Sequence, residues 1–225
     1  MIRRLLLAGA ALAAFAVIAC SDIVAPSRFG RYEWRLFVAF DSLGPREDSL
    51  TFHWPASSLP VKIWVENQYG MPGFVQHSIG LWKNAFLYGE YDAVIVTDSS
   101  TADVIVRTII APLKPSPSAG RLASALFPGC SGETDIDTVA TRNQLRLPVH
   151  AYVYPKFDPT TNDLTQCFRI TATHELGHTL GLFQHSGDTL DVMFSDPVAE
   201  QPSPRDIRTV ETVYHFPVSL VPVRP

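Results

Sequence analysis

The chain is poor in charge and in cysteine. Asp, Glu, Lys and Arg make up only 18% of its 225 residues, against 46% hydrophobic. A chain of that balance can bury a core, which excludes a wholly disordered polymer. Basic residues are not in surplus: 18 Lys and Arg face 22 Asp and Glu, a formal charge of −4. With nothing to neutralise a phosphate backbone, nucleic-acid binding is not expected. The three cysteines include no CxxC pair and no Cys/His cluster, so a cysteine metal site is not expected either. No internal repeat is visible, which sets aside repeat architectures. Beyond the first twenty residues, no apolar run approaches the roughly 20 residues of a membrane-spanning helix. Proline, by contrast, is plentiful, at 18 residues against 13 glycines, and implies many strand and loop boundaries.

An odd number of cysteines needs an explanation, and the N-terminus offers one. Arg3 and Arg4 precede an apolar run from Leu5 to Ala19. A positive start, a short hydrophobic centre and a small residue at the end are the marks of a secretory signal. The run closes on Val17-Ile18-Ala19-Cys20, which resembles the bacterial lipobox. That resemblance implies cleavage after Ala19, lipidation of Cys20 and a membrane anchor outside the cytoplasm. Ser21 in place of aspartate favours the outer membrane, by likeness to Gram-negative lipoproteins. Loss of Arg3 and Arg4 leaves the mature chain near −6. In an exported chain the two remaining cysteines, Cys130 and Cys167, are expected to pair. On the chain-entropy model their loop is worth about 4 kcal/mol. The alternative is two buried free thiols.

Period-two alternation marks several strands. Tyr32, Trp34, Leu36, Val38 and Phe40 alternate with polar residues, and Leu50, Phe52 and Trp54 do so again after a Gly44-Pro45 loop, suggesting an N-terminal hairpin. Val61–Val65, Val94–Val96, Val104–Val106 and Val149–Tyr154 read as further strands. Residues 129–147 are polar and show no period. Val75, Ile79, Trp82 and Phe86 form one face of a helix closed by Gly89. Asp163 and Gln166 have capping-box spacing before a second helix, whose apolar face is Phe168, Ala172, Leu176 and Leu180 and whose end is Gly181. Ser203-Pro204 opens a third helix with Ile207, Val210 and Tyr214 facing inward, stopped by Pro217.

The second helix carries His174-Glu175-Leu176-Gly177-His178. At about 100° per residue the two histidines lie about 40° apart on one face, about 200° from Ala172. Two imidazoles one turn apart reach a single metal ion, and the intervening glutamate is placed to take a proton from water. The bland reading, a surface helix with two solvated histidines, leaves His185 unexplained. That residue follows the helix-ending Gly181 closely enough to return to the same ion. Three protein ligands and one open position make a catalytic zinc pattern, not a closed structural one.

His174 to Gly181 (His-Glu-Leu-Gly-His-Thr-Leu-Gly) resembles the metzincin zinc peptidases, most closely bacterial matrixin-like proteins. Ser186 after the third histidine, Asp191-Val192-Met193-Phe194 as a Met-turn, and the Ser203–Tyr214 helix extend the resemblance over about 165–215. It implies an α+β fold: a small twisted sheet, mostly parallel with one antiparallel edge strand, packed on two helices. It also implies metal ligands His174, His178 and His185, the base Glu175, and supporting roles for Gly181 and Met193. One departure stands out. The family leaves two residues between the glycine and the third histidine, whereas Leu182, Phe183 and Gln184 intervene here, so Gln184 occupies the usual ligand position. His185 is preferred over Gln184 or Asp188 on ligand chemistry. Ser195 replaces the tyrosine of astacin-like relatives, so no tyrosine ligand is assigned. His53, His77, His150 and His215 lack partners at ligand spacing and read as structural or solvated.

The expected organisation is a signal at 1–19, a tether and hairpin at 20–58, a catalytic domain at 59–217 and a tail at 218–225. The expected activity is zinc-dependent cleavage of a peptide or protein substrate by a membrane-tethered monomer. The competing reading is an inactive zinc-binding adaptor lipoprotein. Calcium finds little support, since Asp135, Asp137, Asp158 and Asp163 form no recognisable calcium loop. Cys20→Ser should release the protein to the soluble fraction or block its processing. Normal processing with the mutant still membrane-bound, judged by fractionation and mass, would count against the lipobox.

Overall fold

Four parallel strands form the backbone of the molecule because their inward positions are almost all β-branched. The computed structural model describes residues 30–40, 46–109, 120–124, 130–139, 143–155 and 164–224. The hairpin is β1 (Leu36–Phe40) paired antiparallel with β2 (Arg46–Leu50). The main sheet contains β3 (Val61–Val65), β4 (Ala93–Val96), β5 (Val104–Thr108), β6 (Gly120–Ser124), β7 (Cys130–Ile136) and β10 (Val149–Pro155), in the order β4-β3-β5-β10-β7-β6. β4, β3, β5 and β10 run parallel, and β7 is antiparallel to both β10 and β6. A small third sheet joins β8 (Thr138–Val139), β9 (Gln144–Arg146) and β11 (Val221–Val223). Among the described residues the fold is α+β, a six-stranded mixed sheet and two smaller sheets with three α-helices.

Helices α1 (Met71–Lys83) and α2 (Thr165–Thr179) pack on each other and on one face of this sheet, α1 over β3 and β4, α2 over β7 and β10. Val61, Ile63, Val104, Val106, Val149, Ala151 and Val153 face them and are buried. Trp82 Nε1 donates to the Thr173 carbonyl at 2.9 Å, tying the two helices at their crossing. Helix α3 (Pro204–Tyr214) starts at the Ser203 cap expected from the sequence, and the structure adds Asp206 to make it a capping box. The Ser203 side chain accepts from the amides of Arg205 and Asp206, and Asp206 reaches back to the Ser203 amide.

Several expectations are corrected. The antiparallel strand β7 is not at the edge, because β6 lies outside it. Residues 129–147 contain β7, β8 and β9 despite their lack of period. α1 stops at Lys83, and the buried Phe86 belongs to the turn beyond it, short of Gly89. The first cap of α2 is Leu164 with no side-chain bond, and Asp163 lies outside the described residues. β1 begins only at Leu36, while residues 31–35 run beside the third helix, Tyr32 bonding to Asp206 and Thr209.

Trp34, Leu36, Leu50, Phe52 and Trp54 of the hairpin region share one hydrophobic core with the sheet and helices. The segment after α3 belongs to it as well. Thr51 and Ser219 exchange backbone and side-chain bonds, Leu220 is buried, and Arg224 bonds Asp103 at 2.6 Å. No helix among the described residues is long and apolar enough to cross a membrane.

Gly181 follows α2 with φ +97°, and a Cβ at this position would overlap the Phe52 carbonyl. A side chain here meets both a left-handed backbone and a steric clash. Gly181→Ala should therefore cost at least about 2 kcal/mol. Chemical denaturation measures this, and an unchanged midpoint would contradict the packing.

Candidate metal centre

His174 and His178 stand one turn apart on α2 because the helix stays regular to Thr179, and their ring centroids are 4.7 Å apart. The turn at Gly181 reverses the chain and brings His185 to 5.2 and 5.1 Å from those rings. One ligating nitrogen from each histidine lies within 4.8 Å of the others. Three histidines are thus close enough to hold a metal ion, and among the described residues no other such group of His, Cys, Asp or Glu occurs.

The hydrogen bonds test whether they would. His174 Nδ1 bonds the Val192 carbonyl at 2.7 Å, and His178 Nδ1 bonds the Leu182 carbonyl at 2.6 Å. A carbonyl only accepts, so each Nδ1 carries the proton and each Nε2 keeps its lone pair. Those two Nε2 atoms face each other at 3.1 Å. Neither has a proton to offer, so the contact is repulsive until a cation stands between them. His185 Nε2 is likewise buried with no hydrogen-bond partner. A tetrahedral ion with bonds of roughly 2.0–2.1 Å would space its nitrogens about 3.3 Å apart. The donor set fits.

Burial keeps the three rings neutral, the form that ligates metals. It lowers His174 to about 3, with the neighbouring His185 adding to the effect and the Val192 carbonyl opposing it. Burial also takes His178 well below its ordinary value and lowers His185.

Glu175 is buried beside them, and its Oε2 accepts from Thr134 Oγ1 of β7 at 2.6 Å. The other carboxylate oxygen lies against Gly132, where any Cβ would overlap it. Met193 is fully buried, with its sulfur packed on Gly177 of the His-Glu-Leu-Gly-His run.

Gln184 and Asp188 do not join the cluster. Gln184 Nε2 donates to the Arg35 carbonyl at 3.1 Å, and Asp188 faces Arg205. His53 stacks on Tyr214, His150 stacks on Tyr152, His77 is exposed, and His215 lies 3.9 Å from Glu90. Cys167 is disulfide-bonded. The side chain of Cys130 and the whole of Cys20 lie outside the described residues, as do Asp158 and Asp163. Asp137 pairs with Arg146 at 3.4 Å.

A second layer of polar groups holds the loop from His185 to Met193. Asp206 Oδ2 accepts from the Val192 amide at 2.8 Å, the same residue whose carbonyl holds His174. Asp206 Oδ1 accepts from Tyr32 at 2.9 Å, whose hydroxyl stays protonated because burial and Asp206 raise its pKa well above the usual value. Asp191 accepts from Ser203 at 2.6 Å and from Arg205 Nε at 2.7 Å, and it bonds Ser186 as well. Asp191 lies in the stretch read as a Met-turn, but nothing in the residue order marks Gly132, Thr134 or the capping residue Asp206 as parts of a site.

No protein-family model and no curated protein matches the chain.

The purified protein should retain one divalent ion per molecule. His185→Ala should weaken that retention more than about a hundredfold in chelator competition, exceeding the cost of losing an outer-layer group. Asp188→Asn should leave it unchanged, and the reverse ranking would reassign the third ligand. A pH dependence follows too. His174 has a folded pKa of about 3 against an ordinary 6.5, so the metal-free fold binds fewer protons than the unfolded chain. Its contribution is complete above pH 6.5 and is lost as the pH falls towards about 3. Denaturation of the metal-free protein across that window should show the decline, and His174→Phe should reduce it without removing it, since His178 and His185 are lowered too.

Proposed function

We propose that the chain is a zinc-dependent endopeptidase of the metzincin kind, matrixin-like, exported and tethered to the cell envelope by a lipid on Cys20. The observation that carries this reading is the convergence of three buried imidazole nitrogens, none bonded outside the cluster, with the buried Glu175 next to His174 on the same helix. Three ligands leave one tetrahedral position open, which suits catalysis better than structural binding. An all-imidazole set suits zinc among other transition metals, and the adjoining carboxylate and Met193 favour the hydrolytic reading.

His174, His178 and His185 would hold zinc, which would supply Lewis acidity towards a water molecule and a scissile carbonyl. Glu175 takes the proton of the attacking water on its carboxylate and passes it to the departing amine. Thr134 fixes the orientation of that carboxylate through its 2.6 Å bond, and Gly132 gives it room. The Leu182 and Val192 carbonyls hold the ligand rings in the tautomer with Nε2 turned inward. The substrate in this reading is a peptide or protein outside the cytoplasm, and the membrane is a partner only through the anchor.

Glu175→Ala should keep one zinc per chain and lower turnover of an unfolded protein substrate by about 10²–10⁴-fold, since it removes the base but no ligand. Gly132→Ala should reproduce part of that loss, with zinc retained, by displacing the carboxylate. Full activity in Glu175→Ala would overturn the mechanism, and zinc without any turnover in the unaltered chain would favour the adaptor reading.

A further inference from the structure

The turn between the second and third histidines, residues 179–184, is gripped along its length by the N-terminal hairpin region. Trp54 Nε1 donates to the Thr179 carbonyl at 2.9 Å, a buried bond. The Phe52 carbonyl sits against Gly181. The Phe183 amide donates to the Trp34 carbonyl at 2.8 Å. The Gln184 side chain donates to the Arg35 carbonyl at 3.1 Å. These four contacts begin one residue after His178 and end one residue before His185. The same turn supplies the Leu182 carbonyl that orients His178. Gln184 is also the residue that makes this turn one longer than the usual metzincin spacing, and it points away from the metal cluster into the hairpin.

We propose that the hairpin region is a positioning clamp for the metal centre, with Gln184 as its latch: the carbonyls of Trp34 and Arg35 and the indole of Trp54 fix the path by which the longer turn delivers His185. The proposal rests on the reading of the three histidines as a metal site. It gives the region 31–54 a role in setting metal affinity, in addition to its share of the core. A donor at position 184 is what the Arg35 carbonyl requires. A carboxylate of the same size would repel that carbonyl, and an apolar side chain of similar size would leave it unpaired.

The test compares Gln184→Leu, Gln184→Glu and Trp54→Phe with Asp103→Ala. Asp103 bonds the Lys62 amide and Arg224, and it belongs to no contact with residues 179–184. Zinc Kd is read by chelator competition, coordination by the visible spectrum of the cobalt-substituted protein, and stability by denaturation of the metal-free form. The two Gln184 variants and Trp54→Phe should each weaken zinc binding about tenfold, the scale expected for an outer-layer partner of a ligand. Their cobalt bands should shift and weaken as His185 is released. Asp103→Ala should lower stability with zinc Kd and cobalt spectrum unchanged. Unaltered Kd and spectrum in both Gln184 variants would overturn the clamp. A loss of affinity that tracks stability in all four variants, Asp103→Ala included, would overturn it too. If the unaltered chain holds neither zinc nor cobalt, it is the metal reading that fails, and the clamp falls with it.

Discussion

Three imidazoles must sit out of water, uncharged, with their lone pairs turned to one point, and most of the architecture answers to that requirement. The arrangement opposes itself without a cation, since His174 Nε2 and His178 Nε2 meet at 3.1 Å with no proton between them. It persists only if the opposite nitrogen of each ring is anchored. The anchors are backbone carbonyls, Val192 for His174 and Leu182 for His178. A backbone carbonyl is only as well placed as the loop that carries it, so the problem passes outwards to two loops. One is the turn after Gly181, and the other is the segment through Met193.

The second loop is braced from the start of α3. Asp206 caps its own helix and holds the Val192 amide with the same oxygen. Burial raises its pKa, while the amides of Ser203 and Val192 pull in the opposite direction. The positive end of a helix is a favourable place for such a carboxylate. Asp191, also buried, is compensated by Arg205, Ser186 and Ser203. Burying a charge is costly unless it is paired and hydrogen-bonded, and both carboxylates meet that condition by fastening the loop.

Much of this was legible in the residue order, for physical reasons that can be named. The spacing of His174 and His178 is a property of any helix, and Gly181 announces the reversal because few other residues tolerate its backbone. Ser203 and Pro204 announce α3, and β-branched alternation announces β3, β5 and β10. β7 was not legible. Gly132 and Thr134 sit in register with Val153 and Ala151, at positions that would be apolar in an ordinary strand. They are small or polar because they receive the carboxylate of Glu175, so the site itself erased the pattern. Phe86 misled in the other direction: it keeps the helical spacing of Val75, Ile79 and Trp82, yet packs on Tyr214 from a turn. Which of Gln184 and His185 turns inward depends on the Arg35 carbonyl, which the sequence holds 149 positions away.

That separation has a consequence for the order of assembly. The bond between Gln184 and Arg35 spans 149 residues, and those between Thr51 and Ser219 span 168. Contacts so distant along the chain close late, after nearer neighbours have folded, because their loop entropy is offset only when both sides are already in place. By the same reasoning His185, held through Gln184 and Arg35, is expected to take its place with those closures. On that order the His174–His178 pair comes with its helix, whereas the full three-histidine cluster needs the distant contacts as well.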